Sequence, residues 1–162
     1  MIFIVLKGEY MLKIMFVCLG NICRSPMAEF LMKDYLEKKG VSDEFLIKSS
    51  ATSRWENGNT VHYGTVRVLD RLGISCKGKY SELLLASDYE KYDYFIGMDE
   101  DNRRAMKRLF GGDPDGKVSL LLDYTDTPRG VADPYYTDDF SSTYNDITRG
   151  IDAFYKFLQK NK

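Results

Sequence analysis

The sequence predicts a single α/β domain in which a parallel sheet is covered by helices on both faces and an anion-binding loop follows the first strand. Three observations predict it. Short apolar runs alternate with amphipathic stretches, a glycine-containing turn separates the first run from the first amphipathic stretch, and no repeat, low-complexity tract or linker divides the chain. A length of 162 residues with 44% hydrophobic content is enough for one packed core.

The first run, Leu12 to Cys18 (LKIMFVC), is nearly continuous and apolar, as expected of a strand buried on both faces. After Leu19-Gly20-Asn21 and Ser25-Pro26, the stretch Met27 to Lys39 carries Met27, Phe30, Leu31, Tyr35 and Leu36 at helical spacing. Phe45 to Ser50 reads as a second strand and Val61 to Leu72 as a helix closed by Gly73. Tyr92 to Met98 is a third strand, and Asp99 can cap a helix that runs to about Phe110. Val118 to Leu122 is the fourth strand. A polar loop from Asp123 to Asp139 leads to a last helix, Ser142 to Gln159, with Ile147, Ile151, Phe154 and Leu158 on one face. Such folds bind ligands beyond the carboxyl ends of their strands, which is where Leu19 to Arg24 falls.

Composition excludes several classes of function. Lys and Arg number 23 against 24 Asp and Glu, so no basic field gathers nucleic acid or an anionic membrane, and neither partner is expected. Ile2 to Leu6 is too short for a secretory core and no later stretch could span a bilayer, so a cytoplasmic location is expected. Three cysteines (Cys18, Cys23 and Cys76), one histidine (His62) and no CxxC pair suit a reducing compartment and argue against a metal site; no cofactor is expected. Met11 stands just before the first strand. Residues 1–10 therefore read as an N-terminal extension of open status, and 11–162 as the catalytic domain.

The chemistry concentrates in Cys18-Leu19-Gly20-Asn21-Ile22-Cys23-Arg24-Ser25. A glycine-containing turn ahead of a helix aims successive N–H groups into one concavity, and the helix N-terminus adds free donors and partial positive charge. Arg24 supplies a planar fork suited to two phosphate oxygens. A thiol at the mouth of that concavity is expected to rest as thiolate, which makes Cys18 a candidate nucleophile. Ser25 can donate a hydrogen bond to the sulfur. A bare Cys-x5-Arg also fits a buried structural cysteine beside a surface arginine; the loop glycine, the serine after Arg24 and the strand and helix flanks favour the catalytic alternative.

The run Cys18 to Glu29 (CLGNICRSPMAE) resembles the phosphate-binding signature of the low-molecular-weight protein tyrosine phosphatases. Ser49-Ser50-Ala51-Thr52-Ser53, Gly58-Asn59, Leu72-Gly73-Ile74, Asp93-Tyr94, Met98-Asp99 and Asp133-Pro134-Tyr135-Tyr136 recur in the family's order from about Lys13 to the end. The resemblance implies a four-stranded parallel sheet and hydrolysis of phosphotyrosine, or of a small aryl phosphate, through a cysteinyl-phosphate, with inorganic phosphate as product. It implies catalytic roles for Cys18, Arg24 and Asp133, with Asp133 as general acid, and phosphate binding by Leu19, Gly20, Asn21, Ile22, Cys23, Arg24 and Ser25. The Asp133-Pro134 pair read alone is equally an ordinary turn. Trp55, Tyr135 and Tyr136 are expected at the substrate rim; Trp55, among Arg54, Glu56 and Asn57, has no apolar neighbours to pack against. Where many members carry a histidine that supports the loop asparagine, this chain has Leu72, leaving Ser49 and Ser25 as the partners expected for Asn21. His62 is expected on a helix surface without a role.

Cys23 is a candidate redox partner for an oxidised Cys18, or a filler of the loop floor. Ile22, where related arginine phosphatases carry threonine, favours phosphotyrosine over phosphoarginine. An arsenate reductase would need a cysteine relay for which Cys76 alone remains. A non-catalytic phosphate sensor would need neither a reactive Cys18 nor Asp133.

Overall fold

The computed structural model describes residues 10–162. Strand β1 (Leu12–Cys18) is central. It pairs in parallel with β2 (Phe45–Ala51) on one side and β3 (Tyr94–Gly97) on the other, and β3 pairs with β4 (Val118–Leu120), giving the order β2-β1-β3-β4. The chain leaves β1 for one neighbour and later returns to its other side, so the carboxyl end of β1 lies at the switch point where α/β sheets bind ligands. Cys18 is the last residue of that strand.

Helices α1 (Arg24–Lys38), α2 (Tyr63–Arg71), α3 (Glu100–Leu109), the single turn α4 (Pro134–Thr137) and α5 (Phe140–Lys160) follow in order, with 3₁₀ turns at Ser42–Glu44, Ala86–Glu90 and Leu121–Tyr124. The two-residue period of β1 divides the core. Ile14, Phe16 and Cys18 face the larger cluster with Met27, Leu31, Ile147, Ile151 and Phe154 from α1 and α5. Met15 and Val17 face the smaller cluster with Leu84, Tyr89, Phe95 and Met106. Among the described residues no helix is long and apolar enough to cross a membrane.

The expected order of elements is present with shifted ends. Helix α1 begins at Arg24, three residues before the expected start at Met27, because the first-turn N–H groups of a helix have no intrahelical partner and Pro26 therefore costs none. Strand β3 begins at Tyr94 rather than Tyr92; just ahead of it Asp93 closes on Lys13, its N donating to Lys13 O (2.8 Å) and its carboxylate accepting from Lys13 N (2.8 Å) and the Tyr10 hydroxyl (2.6 Å). Strand β4 stops at Leu120, where Asp123 Oδ2 accepts from Leu120 N (2.9 Å) and turns the chain into 3₁₀ geometry. Helix α5 starts at Phe140, two residues early, because Asp139 rather than a later residue caps it, accepting from Ser142 N (3.0 Å). The expected extension at residues 1–10 falls, apart from Tyr10, outside the described residues.

Helix α5 packs on the Leu121–Tyr124 turn through Gly150, where an added Cβ would lie 2.5 Å from Leu121 Cγ. Leu121 is fully buried and has nowhere to move. Gly150→Ala would gain about 1 kcal/mol of helix propensity, against an overpacking cost of about 1–3 kcal/mol. The variant is expected to melt a few degrees below the parent in a thermal scan; a higher Tm would mean that the contact with Leu121 yields freely.

Candidate active site

The loop after β1 is shaped by what holds its carbonyl groups. Cys18 O accepts from Thr52 N (3.0 Å), Leu19 O from Ser53 N (3.1 Å) and Ser53 Oγ (2.9 Å), and Gly20 O from Ser81 Oγ (2.8 Å). Ile22 O accepts from His62 N (2.8 Å), and Cys23 O from Thr65 Oγ1 (3.1 Å) and Met27 N (3.2 Å). Every one of these carbonyls is bound from outside the loop. A trans peptide sets N–H opposite C=O, so the amides turn toward the interior of the loop. Asn21 takes φ 55°, a left-handed conformation that asparagine tolerates better than most residues, and this lets the chain curl tightly enough for Asn21 N to donate to Cys18 Sγ (3.3 Å). Helix α1 opens at Arg24 with no capping side chain and no acidic residue in its first turn, so its N-terminal field is left for a ligand.

Cys18, Leu19, Gly20, Ile22, Cys23, Arg24 and Asp133 line one cavity of about 220 Å³, with Trp55, Glu56, Tyr135 and Tyr136 around it. The sulfur of Cys18 is 3.0 Å from Ser25 Oγ. Arg24 is 3% exposed and both ends of its fork are engaged. Nη1 donates to Asp99 Oδ2 (2.8 Å) and Val131 O (2.7 Å), while Nη2 donates to Asp133 Oδ2 (3.3 Å). Burial opposes the guanidinium charge, but Cys18, Asp133 and Asp99 together raise its pKa above the ordinary value. A cation this deep persists only when so surrounded.

Asp133 is held by its own short helix: Oδ1 accepts from Tyr135 N (3.1 Å), and Pro134 stands at the first position of α4. The loop that delivers it is pinned by Val131 N to Met98 O (2.8 Å) and by a bidentate pair from Arg129 to Asp146 (2.8 Å each). Trp55, Tyr135 and Tyr136 are 78%, 59% and 77% exposed, which is where rim residues belong and where core residues do not.

The loop asparagine has the partners expected from the sequence. Asn21 Nδ2 donates to Ser25 Oγ (2.8 Å) and Ser49 Oγ (2.9 Å), and Leu72, 45% exposed at the end of α2, takes no part. His62 is not a bystander on a helix surface. It is the N-cap of α2, Nδ1 accepting from Gly64 N (3.1 Å), and its ring stacks on Phe140 at 5.2 Å and meets Tyr135 edge-on at 6.3 Å. Gly64 leaves room for that stack, since a Cβ there would lie 2.3 Å from the Phe140 ring. Single-histidine composition hid this because capping by His is uncommon.

Sequence reasoning also passed over Asp99, Glu29, Glu56, Ser81 and Lys79. Asp99, expected as a helix cap, does accept at Oδ1 from Asn102 N (2.9 Å), and its Oδ2 also holds Arg24. Glu29 gives no signal in the sequence, since a carboxylate on a helix reads by itself as a solvated charge. Ser81 and Lys79 carried no local signal, because their contacts are to segments about 30 or 60 residues away.

Comparison with known proteins agrees with this geometry. The family model described as low molecular weight phosphotyrosine protein phosphatase matches residues 13–162. The chain is 36% identical to the low molecular weight protein-tyrosine-phosphatase YfkJ of Bacillus subtilis over 94% of this chain and 99% of that protein, and the YfkJ crystal structure superposes with a TM-score of 0.90. It is 36% identical to PtpA of Staphylococcus epidermidis over 93% of this chain and 96% of that one. The low molecular weight protein tyrosine phosphatase SP-PTP of Streptococcus pyogenes is 42% identical, covering 91% of this chain and 93% of that structure, with a TM-score of 0.82.

Cys23, the other thiol of the loop, is buried. Burial pushes its thiol up to about 12, with the charges of Cys18, Asp133 and Glu56 adding and Arg24 opposing. The unfolded thiol loses its proton near 9.0 and the native one keeps it to about 12, so this contribution to stability is complete below the first value and falls as pH rises toward the second. Urea unfolding across that window is expected to show a steeper alkaline loss for the parent than for Cys23→Ala. Tyr35 and Tyr124, also raised to about 12, are common to both proteins and cancel. Parallel curves would remove the buried thiol from the account.

Proposed function

The chain belongs to the low-molecular-weight protein tyrosine phosphatase family, a family of phosphoric monoester hydrolases, and from that premise we propose that it hydrolyses phosphotyrosine through a cysteinyl-phosphate on Cys18. The observation that carries the reading is the sulfur itself, held by Ser25 Oγ and Asn21 N at the floor of a cavity walled by loop amides, Arg24 and Asp133.

The phosphate enters with its equatorial oxygens on the loop amides and on Arg24, whose fork exchanges Asp133 for the ligand. The Cys18 thiolate attacks phosphorus in line. As the S–P bond forms, the bond from phosphorus to the phenolic oxygen breaks, and its electron pair takes a proton from the Asp133 carboxyl. Water then gives a proton back to Asp133 and attacks phosphorus, the S–P bond breaks, and thiolate and inorganic phosphate are regenerated. Ser25 donates to the sulfur as it leaves. Amides fixed from behind need no reorganisation when charge moves onto the equatorial oxygens, which is where such sites gain most of their rate.

The rim suits a flat ring. Trp55, Tyr135 and Tyr136 line the cavity, the tyrosines edge to face at 5.5 Å, and can contact a phenyl group, each aromatic contact being worth about 0.5–1.5 kcal/mol beyond area burial. Ile22 lines the same cavity without a hydroxyl that could orient a guanidinium nitrogen, which supports phosphotyrosine over phosphoarginine. Cys23 lies in the same cavity wall and is the proposed thiol partner of Cys18 after oxidation. A phosphotyrosine-containing protein is the proposed substrate and the cytoplasm the proposed location.

A leaving-group series tests the acid. Asp133→Ala is expected to lose about 10²–10⁴ in kcat/KM, which reports the attack by Cys18 and not the later hydrolysis common to all substrates, for phosphotyrosine and far less for p-nitrophenyl phosphate, whose leaving group needs no proton. An equal loss across the series would remove Asp133 from the role. In the parent, kcat/KM for phosphotyrosine should exceed that for phosphoarginine; the reverse order would transfer the assignment to an arginine phosphatase.

A further inference from the structure

Glu29 is 3% exposed in the middle of α1. It meets two ammonium groups, Lys33 from the next turn and Lys79 at 3.5 Å, and of these only Lys79 is sealed, its side chain 9% exposed against 43% for Lys33. Lys79 Nζ also donates to Ser49 O (2.8 Å) on the edge strand β2. A buried ion pair is a weak device for stability, since desolvation of both charges offsets most of their attraction. Its position suggests another use, because it stands at the head of a chain of side chains that ends on Cys18.

The direction of that chain follows from what each group can do. A carboxylate only accepts, so Ser49 must give its hydroxyl proton to Glu29 Oε1 (2.6 Å) and can only accept from Asn21. Asn21 Oδ1 is taken by Glu82 N (3.0 Å), which turns Nδ2 toward both serines. Ser25 accepts one of those protons, so its own proton is free for the Cys18 sulfur at 3.0 Å. A donor to the sulfur favours the anion; a Ser25 that accepted from the thiol would not.

We propose that Lys79 is a positioning residue for the phosphatase reaction: its sealed ammonium holds the Glu29 carboxylate at 3.5 Å and the Ser49 backbone at 2.8 Å in place, and so fixes Ser25 as hydrogen-bond donor to Cys18. Lys79 thereby supplies the support to Asn21 that Leu72, turned to solvent, does not. The inference rests on Cys18 being the nucleophile. Charged groups around the two ends are Lys33 and Lys79 at Glu29, and Arg24, Asp133 and Glu56 at the sulfur. Cys76, raised by burial, Asp70 and Glu29, and Tyr92, raised by burial, Asp88, Glu82 and Glu29, also feel the cluster but titrate on the alkaline side.

The test compares Lys79→Gln, which can still donate to Ser49 O but carries no charge, with Lys79→Arg, which keeps the charge. Cys18 alkylation by iodoacetamide at mildly acidic pH is expected to slow roughly three- to tenfold in Lys79→Gln, with the acid limb of kcat/KM for p-nitrophenyl phosphate displaced to higher pH, and to stay within about twofold of the parent in Lys79→Arg. A folded Lys79→Gln with parental alkylation and pH profile overturns the proposal, even if its Tm has dropped. Should Lys79→Gln not fold, Ser49→Ala cuts the chain while leaving both charges; the same slowing supports the proposal and a parental rate overturns it. Cys18→Ser separates the two readings, because turnover by that variant would sink the nucleophile assignment whatever Lys79 does.

Discussion

The site depends on one constraint, that the carbonyls of Cys18, Leu19, Gly20, Ile22 and Cys23 are all bound from outside the loop. Five free carbonyls would face the cavity in some conformations and repel an anion; tied back, they leave only donors pointing inward. The donors that tie them come from segments 52–53, 62–65 and 81, which are separate in sequence, and from Met27 in α1. The rest of the domain can be read as the means of bringing those segments to the carboxyl end of β1. The parallel sheet places β2 and its following loop at one side, and α2 sets His62 and Thr65 on the other.

Charge is organised on the same plan. Arg24 is buried among Asp99, Asp133 and Val131 O, so its fork is already aimed when a phosphate arrives and loses little freedom on binding. Asp133, the proposed general acid, is delivered by a loop pinned at Val131 and Arg129 and braced at Tyr135 and Phe140 against the ring of His62. Rigid parts surround the place proposed for the phosphorus, and exposed aromatic side chains surround the place proposed for the substrate ring. That division matches a reaction in which positioning matters most at the transferred group while the remainder of a phosphoprotein varies.

Local patterns made much of this legible in the sequence. The apolar run of β1, the turn containing Gly20 and Asn21, and the helical spacing of apolar residues in α1 are each specified within a few residues, so both the strand-loop-helix unit and the positions of Cys18, Arg24 and Ser25 follow from adjacency. The exposure of Trp55 followed from its polar neighbours. Element ends did not follow, because they are set by capping contacts such as those of Asp93, Asp123 and Asp139, whose donors cannot be identified from spacing alone. Glu29 and Lys79 escaped for a related reason: a buried pair is defined by three segments meeting, and each of its members reads in isolation as a solvated charge.

The account stands on a covalent phosphate at Cys18, which can be observed directly. Rapid acid quench of the protein during turnover of a phosphate-labelled aryl ester, followed by digestion and mass spectrometry, should recover phosphate on the peptide containing Cys18 and none in Cys18→Ser, with more accumulating as the leaving group improves. A parent that turns over at its full rate with no phosphate on Cys18 at any quench time, or with the label on another residue, would contradict the account.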